Sequence, residues 1–250
     1  MQGFALFLAF AGPADLEGPQ VEWEGNRHPL GWSSRRQRWQ TVVPVSIDCP
    51  TGVQLSIVCQ GERLAQRAVP VKARNYGMQY LSLSAATLAS YDRAQNRADD
   101  AAILESMKAF DPEARWQGAF RLPCQAPLTS PFGTRRLYNG WKKSWHKGLD
   151  LGGWEGQPVI CPAAGTVVHR ARGVVNGNTL VVSHGLGVFS VYMHLLDVAV
   201  DDRQQVQAGE MLGQVGGTGG FSPHLHWETR VFGVPVHPQS FLKPPPDWVG

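Results

Sequence analysis

Two short stretches of the chain carry residues of the types and spacing that bind a metal ion. The first is His146-Lys-Gly-Leu-Asp150, and the second, far along the chain, is His224-Leu-His226. Two histidines and one carboxylate are the protein ligands of a catalytic zinc site, which keeps its fourth position open for water. His194 and His224 are candidates to stand beside such a metal. This is more imidazole than structure alone usually requires, so we predict a catalytic metal site.

The pair His224 and His226 is predicted to lie on a strand. Side chains at positions i and i+2 of a strand point to the same face, so the two imidazoles face the same way, and Leu225 and Trp227 point into the opposite layer. Such a pair can place one imidazole on a metal and the other beside it.

The spacing of His146 and Asp150 predicts a bend in the backbone between them. On a continuous strand, residues four apart share a face but lie about 13 Å apart. One zinc ion needs both donor atoms within about 2.0–2.2 Å of itself. Gly148 makes a bend easier, and Gly152 and Gly153 argue against a helical turn. We therefore expect His146 on a loop and Asp150 at the start of a strand.

The chemistry of this residue set is hydrolytic. A zinc ion with two histidines and one aspartate can lower the pKa of bound water towards ~7 and polarise a carbonyl group. Hydrolysis also needs a base that takes the proton of that water and donors for the developing oxyanion. His194 and His224 are the histidines that remain free for these tasks.

The composition is typical of a globular, β-rich chain. With 250 residues, 43% of them hydrophobic and 17% charged, it can bury a sizeable core in one large or two modest domains. Its 28 glycines and 18 prolines suit short strands and many turns. The net charge of +3 comes without a long run of Lys and Arg, so nucleic acid is not indicated, and attraction to an anionic polymer is favoured only weakly.

The first half of the chain is predicted to contain a small β-domain and a helix. Short alternating runs separated by turn residues indicate the β-domain over residues 1–80. Within it, residues 1–13 form an apolar, signal-like segment, which is either part of a signal peptide or the first strand. His28 is expected at the surface or in a turn. A linker helix is predicted over 84–110, with Ser84 as its cap.

The second half of the sequence contains closely spaced short strand patterns separated by glycine turns. This pattern predicts another β-domain over residues 118–243. The fold class is therefore mainly β. No stretch approaches the ~20 apolar residues of a membrane span. Three further histidines are expected to be structural: His169, His184 and His237.

The cysteines are not spaced as a zinc site, because none has the C-x-x-C spacing. Cys49 lies beside a turn and Cys59 ends the strand that follows, so a simple hairpin would hold the two thiols apart. A bend in that strand would bring them together, but we favour free thiols over a disulfide here. Cys124 and Cys161 are expected to be small buried hydrophobes.

Five motifs follow one another between residues 128 and 242. They are Ser130-Pro-Phe-Gly-Thr-Arg135, Trp145-His-Lys-Gly-Leu-Asp150, Cys161-Pro-Ala-Ala-Gly-Thr-Val167, Val191-Tyr-Met-His-Leu195 and Pro223-His-Leu-His-Trp-Glu228. Together they resemble the lysostaphin/LytM-like family of zinc metallopeptidases, which cut peptide bonds in bacterial peptidoglycan. Each motif alone is weak, whereas the ordered set is specific and covers nearly half the chain.

This resemblance implies an antiparallel β fold with a groove across one sheet. It implies one zinc ion held by His146, Asp150 and His226, and it implies that His194 and His224 are catalytic, one of them as general base. The N-terminal half is similar to the β-domain and helix that precede the catalytic domain in some envelope members. We therefore expect a place outside the cytoplasm (periplasm, cell envelope or secreted) and a possible regulatory role for the N-terminal domain.

Three residues are predicted to contact the substrate: Arg135, Asn139 and Ser222. The guanidinium fork of Arg135 suits recognition of a carboxylate, and a plain salt bridge is the alternative. Asn139 lies between the first two motifs and either contacts substrate or makes a turn. Ser222 stands where the family's loop commonly has a glycine before Pro-His, a glycine that approaches the substrate closely in the family.

The leading hypothesis is thus a zinc endopeptidase that acts on peptidoglycan. One rival is a non-catalytic module that binds the cell wall or activates a hydrolase, as degenerate members of the family do after losing ligands. A second rival is an iron oxygenase with two histidines and one carboxylate, because its ligand types are the same. The additional histidines and the five motifs argue against that enzyme. The sequence does not indicate which peptide bond is cut.

Overall fold

The computed structural model describes residues 1–91 and 94–248 of the chain. β-Strands are the dominant regular structure of the described residues, and they pair almost entirely in antiparallel fashion. Short helices lie between the two halves and near the C-terminus. The predicted fold class is therefore confirmed.

The first half folds into small sheets. Its strands are β1 (Ala5–Phe10), β2 (Gln20–Trp23), β3 (Asn26–Pro29), β4 (Gly31–Ser33), β5 (Arg38–Pro44), β6 (Gly52–Cys59), β7 (Glu62–Pro70) and β8 (Met78–Leu81). One sheet has the order β1-β5-β4 and another the order β3-β2-β6-β7. The apolar segment near the N-terminus is β1, and it pairs with β5 along its whole length. Of the two interpretations of this segment, the structure shows the strand.

The region predicted as one helix contains α1 (Ala85–Tyr91) and α2 (Ala94–Glu105). Residues 92 and 93, which separate them, lie outside the described residues. Ser84 caps α1 as predicted, because its Oγ accepts the backbone N–H of Thr87 at 3.1 Å. Helix α2 ends at Glu105, earlier than predicted, because Met107 and Lys108 donate to carbonyls three residues back and tighten the last turn.

The second half contains a large sheet with smaller additions. Its strands are β9 (Leu128–Ser130), β10 (Arg135–Tyr138), β11 (Lys142–Trp145), β12 (Leu149–Leu151), β13 (Pro158–Ile160), β14 (Gly165–Gly173), β15 (Gly177–Ser183), β16 (Val188–Val198), β17 (Gln205–Val206), β18 (Met211–Val215), β19 (Leu225–Val231) and β20 (Val234–Val236). The large sheet has the order β17-β14-β15-β16-β19-β12-β9, while β11, β10 and β8 form another sheet. Helix α3 (Gln239–Leu242) and a 3-10 turn (Pro246–Trp248) follow.

Side chains of the central strands alternate between two buried layers. One face packs into the main core, to which Leu180, Tyr192 and Trp227 belong. The other face carries Val191 and Met193, which pack against Ile103 of α2. Because both faces are covered, β16 is mostly apolar and its first eight residues are buried, whereas β19 is equally buried but alternates apolar residues with His226, Glu228 and Arg230.

The two halves of the chain are packed together. Phe7 of β1 lies edge-on to Phe241 of α3, with 5.4 Å between ring centroids. His28 of β3 is buried, with its ring 4.6 Å from that of Phe232. The expectation that His28 lies at the surface was wrong, because the loop between β19 and β20 covers it. Such a contact between distant segments leaves no trace in the local sequence.

All four cysteines are buried and free, so Cys49 and Cys59 are not joined by a disulfide. Cys124 and Cys161 lie in the main core, as expected for small hydrophobes. Among the described residues, no helix has both the length and the apolar character needed to cross a membrane.

Candidate functional site

His146 and Asp150 are brought together by a bend between two strands. β11 ends at Trp145, His146 lies in the following loop, and Asp150 is the middle residue of β12. Between them, Gly148 approaches β19 so closely that a Cβ atom would lie 2.4 Å from the carbonyl oxygen of Trp227. The bend leaves Nε2 of His146 2.9 Å from Oδ1 of Asp150.

His226 reaches the same point from the neighbouring strand. It is the direct cross-strand partner of Asp150 in the pairing of β19 with β12. Its Nδ1 lies 2.7 Å from Oδ1 of Asp150 and 3.1 Å from Nε2 of His146. Tetrahedral zinc ligands are roughly 3.4 Å apart, so a small outward shift of each side chain would admit the ion.

Hydrogen bonds on the side away from Asp150 fix the tautomers of His146 and His226. Nδ1 of His146 donates to the carbonyl oxygen of Pro131 at 2.9 Å, because a carbonyl can only accept. Nε2 of His226 donates to Oε1 of Glu228 at 3.0 Å. In their neutral forms, both rings therefore point a lone pair at the carboxylate of Asp150. Three lone pairs that converge without a cation repel one another, so this donor set fits a bound metal ion.

The ionisation of these groups leads to the same conclusion. Burial alone would lower the pKa of His226, but hydrogen bonds with Asp150 and Glu228 raise it to about 9. Burial alone would raise the pKa of Asp150, but the hydrogen bonds that His146 and His226 donate to it when they are protonated hold it well below its usual range. The cluster thus favours a positive charge beside Asp150, which a metal ion would supply.

Glu228 is itself held in place by a buried ion pair. Its Oε2 accepts from Nε of Arg230 at 2.6 Å, and both side chains are almost inaccessible to solvent. Burial alone would raise the pKa of Glu228, but the charges of Arg230 and His226 hold it far below its usual range. His226, Glu228 and Arg230 are alternate residues of β19, so they share one face of the strand.

His194 enters the site because β16 bulges. Leu195 pairs with Asn178 and Tyr192 with Leu180, so the stretch of β16 between these pairs holds one residue more than the facing stretch of β15. His194 has a φ of +64°, a left-handed conformation that is uncommon for a residue other than glycine. Regular alternation would turn His194 towards the core with Tyr192, whereas the bulge turns it into the groove.

Like the rings of His146 and His226, the ring of His194 donates a hydrogen bond from one nitrogen and presents the lone pair of the other to the groove. Its Nδ1 donates to the carbonyl oxygen of Thr218 at 2.9 Å, which leaves the Nε2 lone pair facing the groove. Burial, together with the neighbouring rings of His226 and His224, lowers the pKa of His194 to about 3. It is therefore neutral near pH 7 and has a free lone pair.

His224 lies beside His194, with 4.8 Å between their ring centroids. Its Nδ1 donates to the carbonyl oxygen of Ser222 at 2.7 Å, and its Nε2 lies 3.8 Å from Oδ1 of Asp150. The five residues predicted to form the site therefore lie together in space.

These histidines line a groove with a volume of about 570 Å³. One wall comes from the hairpin of β10 and β11, and another from β8 and α2, which contribute Leu81, Asn96 and Asp100. This volume is typical of a small-molecule or peptide site.

The predicted substrate residues are placed differently. Among the described residues, those that line the groove do not include Arg135, Asn139 or Ser222. Nη2 of Arg135 pairs with Asp48, which is the salt bridge given as its alternative. The side chain of Asn139 donates to the carbonyl oxygen of Leu83 and accepts its N–H. Both side chains thus support the fold, and Ser222 offers its carbonyl oxygen to His224.

The structure also adds residues that the sequence analysis missed. Arg136 lines the groove in place of its neighbour Arg135. Glu228 and Arg230 support His226 from behind. Glu228 and Arg230 follow His226 at intervals of two residues, so the period of a strand could have predicted that they share its face.

The sequence relates this arrangement to known proteins. Residues 144–238 match the profile of Peptidase family M23. The DD-carboxypeptidase/endopeptidase Mpg of Neisseria meningitidis is 36% identical over 123 residues, which are 48% of this chain and 28% of the relative. The murein hydrolase activator NlpD of Escherichia coli is 31% identical over 124 residues, 49% of this chain and 31% of that protein. The chain thus spans about a third of the length of these relatives.

One solved structure is similar over nearly the whole chain. It is described as a peptidase M23 from Pseudomonas aeruginosa, and it matches with a TM-score of 0.73 and 24% identity over 96% of this chain and 93% of that one. This likeness shows that the fold of both halves is shared.

Proposed function

We propose that the chain is a zinc-dependent endopeptidase that hydrolyses peptide cross-links of bacterial peptidoglycan, on the premise that residues 144–238 match the profile of Peptidase family M23. The observation that carries the proposal is the convergence of three ligand atoms on one point of a groove, from His146, Asp150 and His226. The lone pairs of His194 and His224 face the same space. A protein that only binds a polymer has no need of this set.

In this proposal, His146 binds the zinc ion through Nε2, Asp150 through Oδ1 and His226 through Nδ1. A zinc ion held there would supply a positive charge that could acidify water and polarise the scissile carbonyl group. The chain itself keeps each imidazole in the tautomer that presents a lone pair, through the carbonyl of Pro131 and the carboxylate of Glu228.

His194 and His224 do the proton chemistry. Because their Nδ1 atoms donate to the carbonyl oxygens of Thr218 and Ser222, both rings offer Nε2 to the groove. One of them takes the proton of the attacking water, and the other, when protonated, donates a hydrogen bond to the developing oxyanion. The proton then passes to the amine that leaves.

The substrate class rests on the relatives. The name of Mpg describes a DD-carboxypeptidase and endopeptidase, and the name of NlpD describes an activator of murein hydrolases. We extend this setting to the present chain as a substrate, peptidoglycan, and as a place outside the cytoplasm, where that polymer lies.

The division of labour within the chain is part of the same proposal. Residues 1–80 form a supporting β-domain, residues 84–110 a linker and residues 118–243 the catalytic domain. Because the segment from β8 to α2 provides a wall of the groove, we propose that the N-terminal half limits access of the polymer to the zinc ion.

The alternative is an activator of another hydrolase, which the similarity to NlpD favours. The two functions make different demands on the site. An activator does not need a bound metal or the two additional histidines, so their substitution should leave it active.

Digestion of purified peptidoglycan sacculi tests the proposal. The fragments released by the zinc-loaded wild-type chain and by the His194→Ala variant are identified by mass spectrometry, with His169→Ala, outside the groove, as the matched control. We expect new peptide termini from wild type and the control alone. Intact cross-links from wild type with bound zinc, together with faster digestion by an added murein hydrolase, would establish the activator instead.

A further inference from the structure

β10 carries two consecutive arginines whose side chains point to opposite faces of the strand. Arg135 pairs with Asp48, outside the groove. Arg136 lines the groove, and its Nη2 lies 3.8 Å from Oδ2 of Asp150. A guanidinium group therefore stands beside the proposed metal ligand, with 21% of its side chain exposed.

Most of the hydrogen-bond donors of Arg136 are unused by the described residues. Its Nη2 donates to Oγ of Ser130 at 3.0 Å. Its Nε is buried and has no partner in the described part of the chain. The 3.8 Å to Oδ2 of Asp150 is close enough for charge attraction but too long for a hydrogen bond. The planar guanidinium group has five N–H donors, so several of them remain available to a ligand in the groove.

The groove also carries more positive than negative charge, because its described lining contains Arg136, Lys142, Lys147 and Arg230 but only Asp100, Asp150 and Glu228 as acidic residues. Of the described acidic residues that line it, Glu228 is paired with Arg230 at 2.6 Å, and Asp100 accepts from Asn176 at 2.9 Å. The third is Asp150, the proposed metal ligand, whose negative charge would also interact with the doubly charged metal ion. The groove with its metal therefore carries excess positive charge, and it suits an anionic ligand.

We propose that Arg136 binds a carboxylate of the substrate on the residue next to the scissile bond, an inference that rests on the proposed endopeptidase function. The arginine fork matches a carboxylate with two parallel N–H···O bonds. Its closeness to Asp150 puts that carboxylate within a residue or so of the carbonyl under attack, since consecutive Cα atoms are about 3.8 Å apart. The substrate class is thus a peptide with a free carboxylate at the cleaved link, not a neutral glycine bridge.

A purely positioning role would leave a different signature. If Arg136 served only to orient Asp150, its loss would weaken zinc binding and would slow the cleavage of all peptides equally. Recognition of a carboxylate instead predicts a change in the preference between two peptides that differ in that group alone.

The test uses two synthetic cross-linked peptides that differ only at the residue after the cleaved bond, whose carboxyl group is a free carboxylate in one peptide and a carboxamide in the other. Dissociation constants are measured by calorimetry with the full chain after its metal has been removed by a chelator, and kcat/KM is measured with zinc restored. The variants are Arg136→Gln and Arg136→Lys, and Arg135→Gln is the matched control. Zinc content is measured for each protein.

We expect wild type and Arg135→Gln to bind the carboxylate peptide roughly 10- to 100-fold more tightly than the carboxamide. Arg136→Gln should lose this preference, and Arg136→Lys should keep part of it. Equal binding of both peptides by wild type, or an unchanged preference in Arg136→Gln, would overturn the inference. Cleavage of both peptides at equal rates would refute it and leave the proposed function standing. Preferential binding of the carboxylate peptide without cleavage of either peptide would support the inference and contradict the proposed endopeptidase function.

Discussion

Asp150 and His226 are direct partners in the antiparallel pairing of β12 with β19, and their side chains meet at 2.7 Å. Two of the three proposed ligands are therefore set by strand register, which the buried residues on either side of them hold in place. The third, His146, depends on the bend at Gly148. The site should accordingly be sensitive to changes that leave every ligand intact.

Replacement of Gly148 by alanine tests this dependence. The added Cβ would lie 2.4 Å from the backbone oxygen of Trp227, so β12 and β19 must separate. We expect a loss of roughly 1–3 kcal/mol in the free energy of unfolding and weaker zinc binding. Denaturant titration and a competition assay with a chelator measure the two effects.

Gly52→Ala is the matched control for that variant. A Cβ at Gly52 meets no atom within 4 Å, so its stability should change by less than about 1 kcal/mol. Wild-type zinc affinity in Gly148→Ala would show that the close approach to Trp227 does not position His146.

Glu228 should matter for both metal affinity and stability. Glu228→Gln removes the carboxylate that holds the tautomer of His226 and leaves the buried Arg230 without its ion pair. We expect zinc affinity to fall roughly 10- to 100-fold and the free energy of unfolding to fall by roughly 3–5 kcal/mol.

Glu105→Gln provides the same chemical change at an exposed ion pair with Lys108. Neither zinc affinity nor melting temperature should change measurably there. If Glu228→Gln kept full zinc affinity, the orientation of His226 would have to come from strand packing alone.

His184 should make stability depend on pH. Burial lowers the pKa of His184 to about 4 from an ordinary value of 6.5. The hydrogen bond that its Nδ1 donates to the carbonyl oxygen of Ala164 opposes this shift only in part. The folded state therefore binds fewer protons than the unfolded state between these pH values. Stability is full above pH ~6.5 and falls as the pH drops towards ~4, by on the order of 3 kcal/mol.

The contribution of His184 is isolated by comparison with His184→Gln, whose side chain does not titrate. We expect the free energy of unfolding of the variant to fall less steeply over this pH range than that of wild type, measured by urea titration. Parallel curves would assign the acid sensitivity to other groups.

Much of the site could be predicted because it depends on residue type, order and period. The family resemblance read from five motifs and the mainly β fold are confirmed. The bend after His146 followed from a simple distance argument, because a straight strand would hold it too far from Asp150.

The remainder depends on features that local sequence does not encode. Which of Arg135 and Arg136 faces the groove depends on the register of β10 with β8 and β11. The orientation of His194 into the groove requires a bulge in β16, and no glycine in the sequence indicates that bulge. His28 is buried by a segment some two hundred residues away.

The most direct test of the account is zinc reconstitution. The metal is removed by a chelator, zinc is added back in fractions of an equivalent, and the cleavage of sacculi is followed with the bound metal measured in parallel. We predict that cleavage is absent without metal, rises in proportion to bound zinc and levels off at one ion per chain, and that Asp150→Asn stays inactive throughout. Cleavage by the metal-free chain, or full zinc binding by Asp150→Asn, would contradict the assignment of this cluster as the catalytic centre.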